Sequence, residues 1–134
     1  FLVTSALVKL HIVEADSPAI HTAVAEADTV PCPVWAEAHA GLACCGREAL
    51  PDSRDAAARQ ALSQNRPNFL IVAISQAIIV RAREFADTFA LRGYDSVQLA
   101  SACELLGSAP DEVAFASFDN RLDKATGIAG RQVI

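Results

Sequence analysis

Methionine is absent from this chain, tryptophan and tyrosine occur once each, and Lys plus Arg (11) fall short of Asp plus Glu (16). Each shortage excludes something. With no Met and Phe at position 1, the natural start is expected a few residues upstream. A formal charge of −5 argues against non-specific duplex DNA binding, which rests on Lys and Arg neutralising phosphates. It leaves room for a nuclease, because a cluster of carboxylates is acidic until its cations bind. No apolar run reaches the roughly 18 residues that a membrane-spanning helix needs. No basic segment precedes a cleavage motif, so no secretory signal is read and a cytoplasmic protein is expected. The four cysteines (Cys32, Cys44, Cys45 and Cys103) form no CxxC pair, which favours reduced, buried thiols. The histidines, His11, His21 and His39, lack the paired spacing of a zinc site.

What is present is apolar. Hydrophobic residues make up 52% of the 134 positions, enough for one domain with its own core and against disorder. Phe1-Leu2-Val3 reads as the end of a buried strand, and Thr4 or Ser5 as the cap of the helix that follows. Ser17-Pro18 opens a second helix to Ala27, with Ser17 as its cap. A short strand, Thr29–Cys32, precedes a helix from Pro33 to about Glu48, and Asp52 starts another to about Gln64. After a turn at Asn65–Asn68, the continuous apolar run Phe69–Ile74 predicts a strand covered on both faces. A long helix from Ser75 to about Arg92 closes on Gly93. The helix from Tyr94 to Gly107 presents Val97, Leu99, Ala100, Cys103 and Leu106 as its apolar side. A buried strand at Val113–Phe118, a short helix and a last strand at Arg131–Ile134 complete the chain. Strands alternating with helices give an α/β architecture with a mainly parallel sheet.

In such a sheet, ligands bind beyond the carboxyl ends of the strands. Asp119 follows a strand ending at Phe118, and Val3 follows Phe1-Leu2, so both belong to that rim. Asp95 falls in the first turn of its helix, where the dipole favours an ionised carboxylate. Glu37 falls in the second turn of the helix after the second strand. Carboxylates so placed could share one Mg²⁺, which prefers oxygen ligands and takes one or two carboxylates directly. Taken singly, Asp95 and Asp119 fit helix caps equally well, and Glu37 fits a solvated helix surface. Spacing alone does not identify a nuclease.

The segments Phe1–Lys9, Trp35-Ala36-Glu37, Leu91-Arg92-Gly93-Tyr94-Asp95-Ser96 and Phe115–Leu122 together resemble the PIN domain, most closely the VapC-type toxins of type II toxin–antitoxin pairs. The resemblance runs from Thr4 to the ending Ala129–Ile134. Leu91–Ala100 looks like the family's third-acid motif, and Phe118-Asp119-Asn120-Arg121-Leu122 looks like its fourth. It implies one PIN-like domain over 1–134, a three-layer α/β/α fold with a mainly parallel central sheet. It also implies a ribonuclease dependent on Mg²⁺ or Mn²⁺ that hydrolyses phosphodiester bonds of RNA. Glu37, Asp95 and Asp119 inherit the second, third and fourth acidic roles, catalytic and metal-binding. Partners implied are a cognate VapB-like antitoxin, RNA and a second copy of the chain in a homodimer, with no membrane.

One position departs from the pattern. Where the family carries its first aspartate this chain carries Val3, and an isopropyl group ligates no cation. In the family the first and third acids are the principal direct metal ligands. Displacing an ion by ~1 Å can cost roughly a hundredfold in rate, so impaired activity is expected. Thr4 and Ser5 are auxiliary oxygen donors, and Asp123 shares a helical face with Asp119, though as a solvated acid first of all. Lys9, Arg92 and Arg121 are the basic residues placed to touch phosphates. The alternative is a catalytically silent PIN domain that binds antitoxin or RNA without turnover. A flavodoxin-like domain is disfavoured, since Val3-Thr4-Ser5-Ala6 offers no glycine for a phosphate loop.

Overall fold

Side-chain caps set two of the helix starts, through the Ser75 hydroxyl and the Asp119 carboxylate. The structure, a computed structural model, describes residues 1–33, 52–105, 107 and 114–129. The chain divides into two compact units, Leu2–Ile71 and Val72–Ile134, with Phe1 belonging to the latter.

In Leu2–Ile71 the elements are α1 (Thr4–Lys9), α2 (Ser17–Glu26), β1 (Pro31–Cys32), α3 (Asp52–Asn65), a 3₁₀ turn (Arg66–Asn68) and β2 (Leu70–Ile71). β1 and β2 pair in parallel, Pro31 opposite Leu70 and Cys32 opposite Ile71. The Leu2 N–H donates to Pro31 O at 2.9 Å, which extends the pairing to the chain's start. Leu2, Val3, Ala6, Leu7, Ile20, Val30, Cys32 and Leu62 are buried. α1 is capped differently from the sequence expectation: its N-cap is Val3, extended at φ −83° and ψ 169°, with no side-chain cap bond. Ser17 does not cap α2 either; Asp16 holds that place without a side-chain bond. The Ser17 hydroxyl is instead a loop tie, donating to Ile12 O at 3.0 Å and accepting from Glu14 N–H at 2.9 Å.

The run Phe69–Ile74 departs most from expectation. Only Leu70 and Ile71 form strand, Leu70 and Ile74 are each 47% exposed, and neither face is fully covered. A continuous apolar run does not reveal by itself how much of it is buried.

The second unit holds α4 (Gln76–Phe89), α5 (Gly93–Leu105), a strand segment at Phe115-Ala116 and α6 (Asn120–Ile128). Phe1 brackets Phe115: its amino group donates to Ala114 O at 2.8 Å and its carbonyl accepts from Ala116 N–H at 2.9 Å. The two rings stack, with centroids 5.6 Å apart. Ile78 and Ala82 of α4 pack on Ala100 of α5, flanked by Val72, Phe85 and Val97. Ser75 caps α4 by accepting Ile78 N–H at 3.2 Å. The helix ends earlier than expected, at Phe89, because Ala90 turns left-handed at φ 52°. Gly93 therefore opens α5 rather than closing α4.

α5 is buried almost all round between Ser96 and Cys103, not on one apolar side. Ser96, Gln98 and Ser101 share that interior. Small hydroxyls let neighbouring elements approach closely, and the Ser96 hydroxyl remains bonded by donating to Gly93 O at 2.8 Å. The architecture is α/β, helices with a small parallel sheet. Three expectations, the helix at Pro33–Glu48, the start of the strand at Val113 and the strand at Arg131–Ile134, lie outside the described residues.

Candidate active site

Asp119 is positioned by the turn between the Phe115-Ala116 segment and α6. Ser117 is buried, and its hydroxyl accepts the Asp119 N–H at 3.1 Å. This serine-to-second-residue bond is a local motif that fixes the turn. Asp119 then caps α6: its Oδ1 accepts from Arg121 N–H at 2.9 Å and from Leu122 N–H at 3.0 Å. Leu122 is buried at the helix start. One oxygen thus does all the capping, and among the described residues no donor reaches Oδ2. The cap reading and the site reading of Asp119 are compatible, since they use different oxygens.

Asp95 sits half-buried in the first turn of α5, next to the exposed Tyr94. Its pKa is raised above 3.8, first by burial and second by the negative charge of Asp119. The Arg92 and Arg121 guanidiniums pull the other way, as does the backbone N–H of Arg92. The net direction is opposite to the helix-dipole effect alone, because desolvation and a like charge outweigh it. The two acids are therefore neighbours in one electrostatic environment, brought there by the starts of two helices that pack together.

Asp123 lies one turn on from Asp119, its N–H donating to Asp119 O at 2.8 Å. It is half-buried, with Oδ1 shut off from solvent and without a hydrogen-bond partner, which corrects the expectation of a solvated acid. Val3 belongs to the other unit, where it is buried at 1% exposure. Thr4 and Ser5 begin α1 and are half-buried. Glu37 lies outside the described residues. Of the three basic residues, Lys9 is committed elsewhere: its ammonium bonds Glu14 and reaches Asp16 at 3.4 Å. Its pKa is raised, chiefly by Glu14.

The PIN domain family model matches residues 1–128. This chain belongs to the PIN domain family. No curated protein matches it at a significant level. PIN domains are typically metal-dependent nucleases and generally use divalent metals, and RNA is the substrate the family suggests. The residues in this PIN domain fit such an ion in kind: Asp95 and Asp119 offer only hard oxygen donors, they repel one another, and one Asp119 oxygen is unengaged. A cation would relieve that repulsion. Among the described residues no cluster of three His, Cys, Asp or Glu side chains could hold an ion, and Mg²⁺ requires only one or two direct carboxylates. None of the described helices is long and apolar enough to cross a membrane.

Ser117 is the positioning residue that sequence reasoning missed. Its signal was legible: a hydroxyl two residues before a capping aspartate is a recognisable turn.

Proposed function

We propose that this PIN domain is a VapC-like toxin, an endoribonuclease dependent on Mg²⁺ or Mn²⁺ and weakened by Val3 at the first acidic position. The whole chain, 1–134, acts as one domain in the cytoplasm, as a homodimer held inactive by a VapB-like antitoxin. The observation that carries the reading is the electrostatic coupling of Asp95 to Asp119 at the starts of two packed helices. A second carboxylate beside a half-buried one costs stability unless a cation or a proton offsets it.

Asp95 and Asp119, with Glu37 as the third acid, would hold the ion, which when bound supplies a more acidic water and offsets charge on the leaving oxygen. Asp119 is held by the Arg121 and Leu122 N–H groups through one oxygen, which leaves the other for an ion. Asp95 binds its proton more tightly than an ordinary carboxylate, so positive charge arriving beside it favours its ionised form. Thr4, Ser5 and Asp123 are the auxiliary oxygens, of which Asp123 carries a buried, unbonded Oδ1.

Val3 supports a second reading. A buried isopropyl group ligates nothing, and a domain lacking its first acid could bind antitoxin or RNA without cleaving. One variant separates the two. Val3→Asp is expected to raise Mg²⁺-dependent cleavage of a labelled single-stranded RNA by about a hundredfold. A folded Val3→Asp protein that still leaves the RNA intact refutes the enzyme reading and favours the silent binding module.

A further inference from the structure

Acidic proteins that handle RNA must offset the repulsion between their own charge and the phosphate backbone. This chain carries −5 overall, and its candidate site is built on two carboxylates. Cations near that site therefore matter more than those elsewhere, and the structure sorts them. Lys9 is tied to Glu14 and Asp16. Arg81 lies 3.4 Å from Glu104. Arg92 and Arg121 are exposed and, like Arg83 and Lys124, have no carboxylate within ion-pair distance among the described residues; unlike Arg83, they stand beside the helix starts that hold the two acids.

Their backbone positions are fixed by the same elements that fix the acids. Arg92 stands three residues before Asp95, and its carbonyl accepts Ser96 N–H at 2.9 Å, which begins α5. Arg121 stands two residues after Asp119 and donates its backbone N–H to the Asp119 carboxylate. Arg92 thus immediately precedes α5, whose first turn carries Asp95, and Arg121 stands in the first turn of α6, which Asp119 caps. α5 and α6 pack on one another, so both arginines stand beside the two helix starts that hold the acids.

We propose that Arg92 and Arg121 bind backbone phosphates of single-stranded RNA beside the Asp95–Asp119 pair. The proposal rests on the nuclease reading for its choice of ligand. Arginine chemistry fits this role, because a guanidinium forms two parallel N–H···O bonds to a phosphate and remains charged at every working pH. Two such groups offset the charge of the Asp95–Asp119 pair, which lowers the repulsion that the strand meets in a negatively charged protein. They act as binding and positioning residues, with no part in proton transfer.

The test uses the full chain and a fluorescein-labelled oligouridylate, read by fluorescence anisotropy in EDTA across a range of NaCl concentrations. Each of Arg92→Gln and Arg121→Gln is expected to weaken binding about fivefold to tenfold. Each should also flatten the slope of log K against log salt by about 0.7, the increment for one phosphate on a single strand. Arg→Lys at either position should keep the slope. Arg83→Gln, an exposed arginine on α4 that does not act on Asp95, is the control and should change neither quantity. Slopes and affinities in both Gln variants equal to those of the parent overturn the proposal, as does a parent chain that does not bind the RNA. Cleavage by Val3→Asp is scored separately. Lost slope without any cleavage leaves the phosphate contacts standing and removes the nuclease; cleavage with unchanged slopes removes only the contacts.

Discussion

Burial first and the charge of Asp119 second raise the proton affinity of Asp95, although the two residues stand 24 positions apart, each at the start of its own helix. α5 begins at Gly93 and α6 at Asn120, and the packing of these helices brings two like charges into one field. A pair of this kind is a cost to the fold in the absence of a counter-charge. Nothing about helix packing alone calls for it.

That cost has a measurable sign. Asp95 binds its proton more tightly in the folded chain than the ordinary value of 3.8, so the native state holds more protons than the unfolded one just above that value. Stability is then greatest below pH 3.8 for this group and declines as pH rises through the raised pKa. Asp95→Asn is expected to remove the decline and to leave the protein as stable as the parent or more so at neutral pH, while losing cleavage. Urea unfolding from pH 3.5 to 7 checks the sign. A second check is thermal: Mg²⁺ should raise the Tm of the parent and not that of Asp95→Asn.

Asp119 has the opposite balance. Its Oδ1 caps α6 through Arg121 and Leu122, so Asp119→Ala should cost about 0.5–2 kcal/mol. Asp119→Asn keeps a capping oxygen and loses the charge, so it should stay near parental stability. Both should abolish cleavage. Chemical denaturation separates the two variants, and equal losses of stability would show that the cap contributes nothing.

Much of this was legible in the sequence, and the reasons are local. Asp119 before a short helix reads as a cap because the bond it makes spans only three residues, and Ser75 reads as a helix start on the same ground. The parallel pairing of Pro31–Cys32 with Leu70–Ile71 follows from strands separated by helices. What failed depended on tertiary surroundings. The run Phe69–Ile74 reads as doubly covered, yet Leu70 and Ile74 are about half exposed. α5 reads as one-sided, yet Gln98 and Ser101 are buried with its leucine. Asp95 reads as a dipole-stabilised anion because the helix is visible in the sequence and the neighbouring carboxylate is not. At the site itself, the family pattern joined acids that periodicity could not join.

His11 supplies a second pH dependence with the reverse sign. Burial and the charge of His21 lower its pKa below 6.5, and its Nε2 is shut off without a hydrogen-bond partner. The folded state then binds fewer protons than the unfolded one. The stability this neutral ring supports is complete above pH 6.5 and is lost as pH falls through the lowered pKa. His11→Gln should flatten the profile between pH 7 and 5, read as Tm against pH. His21→Gln, which removes the repelling charge, should make the fall smaller, because the pKa of His11 in the folded chain then lies closer to its unfolded value.

Ala90 sets where α4 stops, and through that where α5 and Asp95 begin. At φ 52° and ψ 38° it occupies the left-handed region that L-residues enter at a cost of about 1–2 kcal/mol. Gly93, only three residues on, would accept that conformation without cost, yet it serves as the first residue of α5. The chain thus carries strain at one position and conformational freedom at another. Ala90→Gly is expected to stabilise the fold by roughly 0.5–1 kcal/mol, the relief being partly offset by the greater entropy of glycine in the unfolded chain. Because the turn keeps its shape, RNA binding should not change. A loss of stability on this substitution would mean that the Ala90 methyl contributes more in contacts than its backbone costs in strain.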